Sequence, residues 1–231
     1  MFLHKGNGQY QQVDNCDFFG TYFKDQHKVL AMDFDGIWVS SEEYKSKLLK
    51  AKGLNIKPPH TSRDRTLAMG VPFDDYMEVS VRAGLDILEH GTPEPGLDKY
   101  WNKITKMPEL KIYIITSRYD KMIPPLIRFI QKHKTHVDGV FNVNNEPKKE
   151  IIERLSPDVF VEDSLIKLSQ VLSNSHNDSG LSNTNLTNCD FVLFRNLGNS
   201  QDKEGLTEKI IDLQGGWSKL HEYLQNKFNQ K

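Results

Sequence analysis

The chain has 231 residues, and Lys+Arg 30 against Asp+Glu 31 leaves a net charge of -1, so no global basic field draws it to a nucleic-acid polymer or an anionic membrane. A hydrophobic fraction of 37% and a charged fraction of 26% belong to a globular chain and argue against disorder throughout. Two cysteines, Cys16 and Cys189, make neither a disulfide framework nor a metal cluster and favour a reducing compartment. No apolar run approaches the ~20 residues of a membrane span. The start, Met1-Phe2-Leu3-His4-Lys5-Gly6, lacks the apolar stretch of a secretory signal. The expectation is a cytoplasmic protein, with export by a signal-independent route left open.

In chain order, residues 1–27 read as a polar leader whose aromatics (Tyr10, Phe18, Phe19, Tyr22, Phe23) pack on the following domain. Five continuous apolar runs then alternate with helical patterns: residues 29–32, 112–115, 140–143, 159–161 and 191–194. Unbroken apolar strands are buried on both faces, as in a parallel sheet. Helices are predicted over residues 97–104, 123–132, 148–155 and 164–172, so the fold class is α/β, a doubly wound Rossmann-like parallel sheet. Residues 40–90 interrupt the alternation with two helices, 42–52 and about 73–89, and read as a small helical cap inserted after the first strand. The core domain is then residues 28–39 and 91–231. The Ser- and Asn-dense stretch 173–188 reads as a flexible insertion within it.

Ligands of such sheets lie beyond the carboxyl ends of the strands, near the switch point. The first strand ends in Asp33-Phe34-Asp35-Gly36. Two carboxylates at i and i+2, followed by glycine, enter a tight turn facing one small volume. That is costly without a cation, and a magnesium ion would offset the repulsion and take a phosphate oxygen. Taken alone, the motif is only moderately specific, since a turn or a calcium loop can carry the same residues. The second strand ends in Thr116-Ser117-Arg118, which a helix N-cap also explains. Lys148-Lys149 opens a helix, and such a pair is usually solvated surface. The fourth strand ends in Val161-Glu162-Asp163-Ser164, where acids also suit the start of the next helix.

The four segments, in this order and each at a strand end, resemble the four motifs of the haloacid dehalogenase superfamily of phosphatases over residues 28–172. The resemblance implies a phosphoric monoester hydrolase that works through an aspartyl phosphate. It makes Asp33 the nucleophile and Asp35 the general acid and base. Thr116 holds the phosphate by its hydroxyl, with Ser117 in reserve, and Lys148 neutralises the charge, with Lys149 in reserve. Magnesium falls to Asp33, Asp163, Glu162 and the Asp35 backbone. Arg118 joins the substrate-binding set, and Trp38, two residues past Gly36, is placed to stack on an aromatic leaving group or to pack beneath the cap.

Cys189 and Arg195 match the Cys-x5-Arg of cysteine-dependent phosphatases, but the residues between them read as a strand, which cannot wrap a phosphate. His133 and His136 lack acid or cysteine partners and read as surface, not as a zinc site. For substrate, the Glu-Asp-Ser ending is similar to the deoxyribonucleotidase-like branch. The leader and the insertion bring in the protein tyrosine phosphatases of this superfamily found among bacterial effectors. The expectation leans to phosphotyrosine in proteins, with nucleoside monophosphates next and an inactive phospho-ligand binding protein as the reading from another class.

Overall fold

The computed structural model describes residues 1–6, 8–22, 24, 27–58, 60–173, 186–196 and 206–229. Phe23 and most of the stretch 173–188 lie outside the described residues. Among those described, eight strands form one sheet: β1 (Phe2–His4), β2 (Tyr10–Gln12), β3 (Lys28–Met32), β4 (Leu110–Thr116), β5 (Gly139–Asn142), β6 (Val159–Glu162), β7 (Asp190–Phe194) and β8 (Ile210–Leu213). Their spatial order is β2-β1-β5-β4-β3-β6-β7-β8. All pairs from β5 to β8 are parallel, while β1 runs antiparallel to both β2 and β5. The chain thus builds outward from β3 through β4 to β5, then crosses to the other side of β3 to lay down β6. The switch point lies at the end of β3.

The helices are α1 (Asn15–Thr21), α2 (Glu42–Ala51), α3 (Arg63–Ala68), α4 (Phe73–His90), α5 (Leu97–Ile104), α6 (Ile123–Lys132), α7 (Lys149–Leu155), α8 (Leu165–Ser173) and α9 (Gly216–Asn229). Alternation along the strands explains the two-sided burial. Leu30, Met32, Ile112, Ile114, Val159 and Val161 face a core shared with α5, α6 and α9. Val29, Ala31, Tyr113, Ile115 and Phe160 face a second core, shared with α1, α7 and α8. Each such aliphatic side chain contributes about 1.5–3 kcal/mol by leaving water, so the central strands tolerate little polarity except at their ends.

Residues 40–90 contain α2, α3 and α4, one helix more than the sequence suggested. Six-residue α3 carries too few apolar positions to show a helical period. Leu49, Ile56, Val71, Tyr76 and Val79 form a small core private to this insertion. Ile87 and Leu88, in the last turn of α4, join the main core instead. The insertion is therefore seated on the sheet domain through one end of α4. The leader supplies a β1–β2 hairpin and α1. Phe18 of α1 meets Tyr113 and Phe141 edge-on, with ring centroids 5.9 and 5.5 Å apart. No helix among the described residues is long and apolar enough to cross a membrane.

Trp38 belongs to the core. It is fully buried against Phe34, Trp101 and Trp217, and its indole N–H donates to the Met32 sulfur at 3.1 Å. A side chain with no exposed surface cannot stack on a leaving group, so the substrate role expected for Trp38 is withdrawn. Glu94, in the segment returning from α4 to α5, donates its amide to the Trp38 carbonyl (2.7 Å), and burial pushes its carboxyl up to about 7. The folded chain thus keeps a proton that the unfolded chain releases at lower pH. The stability it confers is complete below the ordinary carboxylate value and is lost as pH rises through about 7. Glu94→Gln is expected to flatten that decline and to add about 1–2 kcal/mol at about pH 8, read by denaturant unfolding at about pH 5.5 and about pH 8. An unchanged profile would contradict this.

Candidate active site

Asp33 follows the last residue of β3 and is tied to β6, its amide donating to the Val161 carbonyl at 2.9 Å. The next three residues turn sharply. Gly36 has φ 73, a left-handed value, and a Cβ there would overlap the Asp163 carboxylate, so glycine is required for conformation and for space. This turn sets Asp33 and Asp163 side by side. Asn196, just past β7, fastens it by donating to the Gly36 carbonyl (2.7 Å) and to Asp163 Oδ2 (3.1 Å).

Lys148 reaches the same point from the β5–α7 loop. Asn144 and Asn145 take left-handed φ of 47 and 69, which asparagine tolerates better than most residues. The loop is tied to the end of β4 by Val143 N donating to Thr116 O (2.9 Å) and Asn145 N to Ser117 O (3.0 Å). Lys148 Nζ then lies 2.9 Å from Asp33 Oδ1 and 2.7 Å from Glu162 Oε2, with only 4% of its side chain exposed. Lys149 turns along α7 toward Glu153, 3.6 Å away, and does not join the cluster.

Glu162 and Asp163 end β6. Asp33, Glu162 and Asp163 each offer an oxygen within 4.8 Å of the others. Burial and the neighbouring Glu162 hold the Asp163 carboxyl well above the usual range. Burial also acts to raise Asp33, but the ammonium groups of Lys148 and Lys167 outweigh it and keep Asp33 below the usual range. Three carboxyl groups brought this close are a set that a divalent cation would hold together. Hard carboxylate oxygens, an Asn-braced turn and the adjacent Asp35 backbone fit magnesium.

Thr116 ends β4, fully buried, with its Oγ1 accepting from the Arg118 amide at 3.3 Å. Ser117 is partly exposed beside it. Arg118 departs from a simple substrate-binding role. Its guanidinium is 5% exposed and grips Asp35 in a fork, Nη2 to Oδ1 at 2.6 Å and Nε to Oδ2 at 3.0 Å, while Nη1 donates to the Gly84 carbonyl of α4 at 2.9 Å. It joins Asp35 to the helical insertion.

Lys167 was not expected from the sequence. It lies in the first turn of α8, four residues past Asp163, and its Nζ is 3.2 Å from Asp33 Oδ2 and 3.6 Å from Glu162 Oε1. The available signal was spacing: one helical turn beyond a strand-end acid brings a side chain back over that acid. Cys189 stays outside the site. It precedes strand β7, and burial pushes its thiol up to about 12, which removes the thiolate a Cys-x5-Arg enzyme needs. His136 instead stacks on His4 of the β1 strand, ring centroids 5.2 Å apart.

No protein-family model and no curated protein matches this chain. Solved structures do. A haloacid dehalogenase-like hydrolase from Streptococcus pneumoniae superposes with a TM-score of 0.55 at 11% identity, covering 87% of this chain and 100% of its own. A predicted phosphatase from Clostridium acetobutylicum gives 0.56 at 11% identity, covering 87% and 99%. The protein YfnB from Bacillus subtilis, solved bound to magnesium, gives 0.54 at 12% identity, covering 88% and 99%. The chain has the haloacid dehalogenase fold, an α/β sheet domain with a helical insertion after its first parallel strand.

Proposed function

We propose that the protein is a magnesium-dependent phosphomonoester hydrolase with Asp33 as nucleophile. The observation that carries this reading is Asp33 itself: a carboxylate 1% exposed at the end of the central strand, held ionised by Lys148 within a group of three acids. Such a group is expensive to bury as a structural element and is suited to attack on a charged ester.

Magnesium, held by Asp33, Asp163 and the Asp35 carbonyl with Glu162 behind them, would supply positive charge against the phosphate and the developing transition state. The chain's own residues do the rest. Asp33 forms a bond to phosphorus as the ester P–O bond breaks, and Asp35 gives its proton to the leaving oxygen. Water then attacks the aspartyl phosphate while Asp35 takes its proton, which frees Asp33 and releases phosphate. The Lys148 ammonium and the Thr116 hydroxyl balance the charge of the phosphoryl oxygens throughout. Asp35 reaches the leaving oxygen by turning out of the Arg118 fork, so the insertion, through Gly84 and Arg118, acts as a cap that bears on the acid and base.

For substrate, phosphotyrosine in proteins is the finer reading. Asp33 lies deep, and a phosphate on a long, flat ring reaches it where a phosphoserine on its short stem does not. Lys45 of the insertion, paired with Glu42 at 3.3 Å, lies close enough to Asp35 for that carboxylate to act on its ammonium, which puts a cation on the cap side of the site. Steady-state turnover of phosphotyrosine peptides, phosphoserine peptides and nucleoside monophosphates tests this. The peptide with phosphotyrosine is expected to have the highest kcat/KM, and a preference of more than about tenfold for a nucleotide would replace it.

A further inference from the structure

We propose that Lys167 is a tethered counter-cation for the metal pocket, which holds the three carboxylates together when no metal is bound and must leave when a divalent ion enters. The inference rests on the magnesium reading of that pocket. Lys167 Nζ stands 3.2 Å from Asp33 Oδ2 and 3.6 Å from Glu162 Oε1, on the same acids a metal would engage. Its surroundings differ from those of Lys148. Lys148, 4% exposed, is fixed between Asp33 Oδ1 and Glu162 Oε2, whereas the Lys167 side chain is 42% exposed on the first turn of α8. Lys148 has no room to leave, and Lys167 has open solvent to swing into.

Charge dictates the exchange. Among the described residues, Lys148 and Lys167 are the cations in contact with Asp33 and Glu162, and Arg118 is in contact with Asp35. Arg118 is held on Asp35 and Lys148 on Asp33 Oδ1 and Glu162 Oε2, so Lys167 is the cation at Asp33 Oδ2. A divalent ion on Asp33 would bring two more positive charges to the carboxylate that Lys167 already neutralises, and like charges at close range in a poorly hydrated site repel. Metal binding therefore works against Lys167, which weakens the metal's apparent affinity and, when no metal is bound, stands against the repulsion between Asp33 and Glu162.

Two measurements on the full chain test this. Calorimetric titration with Mg2+ alone, and Mn2+ binding by electron paramagnetic resonance, compare the wild type, Lys167→Gln, Lys167→Arg and the remote surface variant Lys219→Gln. Lys167→Gln is expected to bind metal about tenfold to a hundredfold more tightly, the range in which one neighbouring charge alters a carboxylate's affinity for a proton. Lys167→Arg and Lys219→Gln are expected to stay near the wild type. The second measurement needs no variant: acylation of amines in the wild type, mapped by mass spectrometry, is expected to label Lys167 several-fold faster with Mg2+ present while Lys148 stays protected. Metal binding by the wild type with equal affinity in Lys167→Gln and unchanged labelling of Lys167 would overturn the exchange and leave the magnesium site standing. Absence of metal binding in the wild type and in Lys167→Gln alike would overturn both.

Discussion

Asp33→Asn is expected to stop phosphate release, by about four orders of magnitude or more, in a protein that remains folded. Asparagine keeps the volume of the side chain and an oxygen that can accept from the Phe34 amide, as Asp33 Oδ1 does at 2.7 Å. Lys148 keeps its 2.7 Å partner in Glu162, so no cation is stranded in the core. What is lost is the electron pair that attacks phosphorus. Single-turnover phosphate release, with circular dichroism as the control for folding, reads the effect. Residual turnover above about 1% with the wild-type pH profile would show that another group is the nucleophile.

Lys148→Met is expected to damage both stability and chemistry. The methionine fills the aliphatic path of the lysine but leaves Asp33 and Glu162, 1% and 0% exposed, with only Lys167 against them. Breaking one partner out of a buried ionic cluster costs about 3–5 kcal/mol, because the remaining charges stay desolvated. For a chain of this size that is a fall of roughly 10 °C in Tm. Loss of a cation aimed at the phosphoryl oxygens removes a further factor of about a hundred to a thousand in kcat. Thermal unfolding together with turnover at a temperature where the variant is folded separates the two effects. A variant with wild-type Tm would mean that the acids are screened without Lys148.

The parts legible in the sequence share one physical cause. The central strands are buried on both faces, so runs such as 29–32 and 112–115 stand out as unbroken apolar blocks, and the polar residues that end them mark the sheet's carboxyl edge. Asp33, Thr116, Glu162 and Asp163 were visible for that reason, and the structure gathers them at the switch point. The β1–β2 hairpin was not visible, because Tyr10-Gln11-Gln12 has little apolar content and takes its order from pairing at the edge of β5 through β1. Lys167 was hidden as an ordinary lysine among the polar positions of α8. Only the folded geometry shows that its helix starts above Asp33. Arg118 was visible as a residue and misread in its partner, since nothing local links residue 118 to Asp35 or to Gly84 of α4. Trp38 was left between stacking on a leaving group and packing beneath the cap, because adjacency to Gly36 does not say which way the bend turns; the bend carries its ring into the core with Trp101 and Trp217.

The central claim is tested most directly by a magnesium titration of p-nitrophenyl phosphate hydrolysis, using protein first freed of metal by chelation. The account predicts no turnover after chelation, saturable recovery on adding Mg2+, and no recovery in Asp33→Asn. Turnover indifferent to chelation would contradict it. So would a folded protein that binds Mg2+ yet releases phosphate from no phosphomonoester, a result that would make the cluster at Asp33 a binding site for phosphorylated ligands.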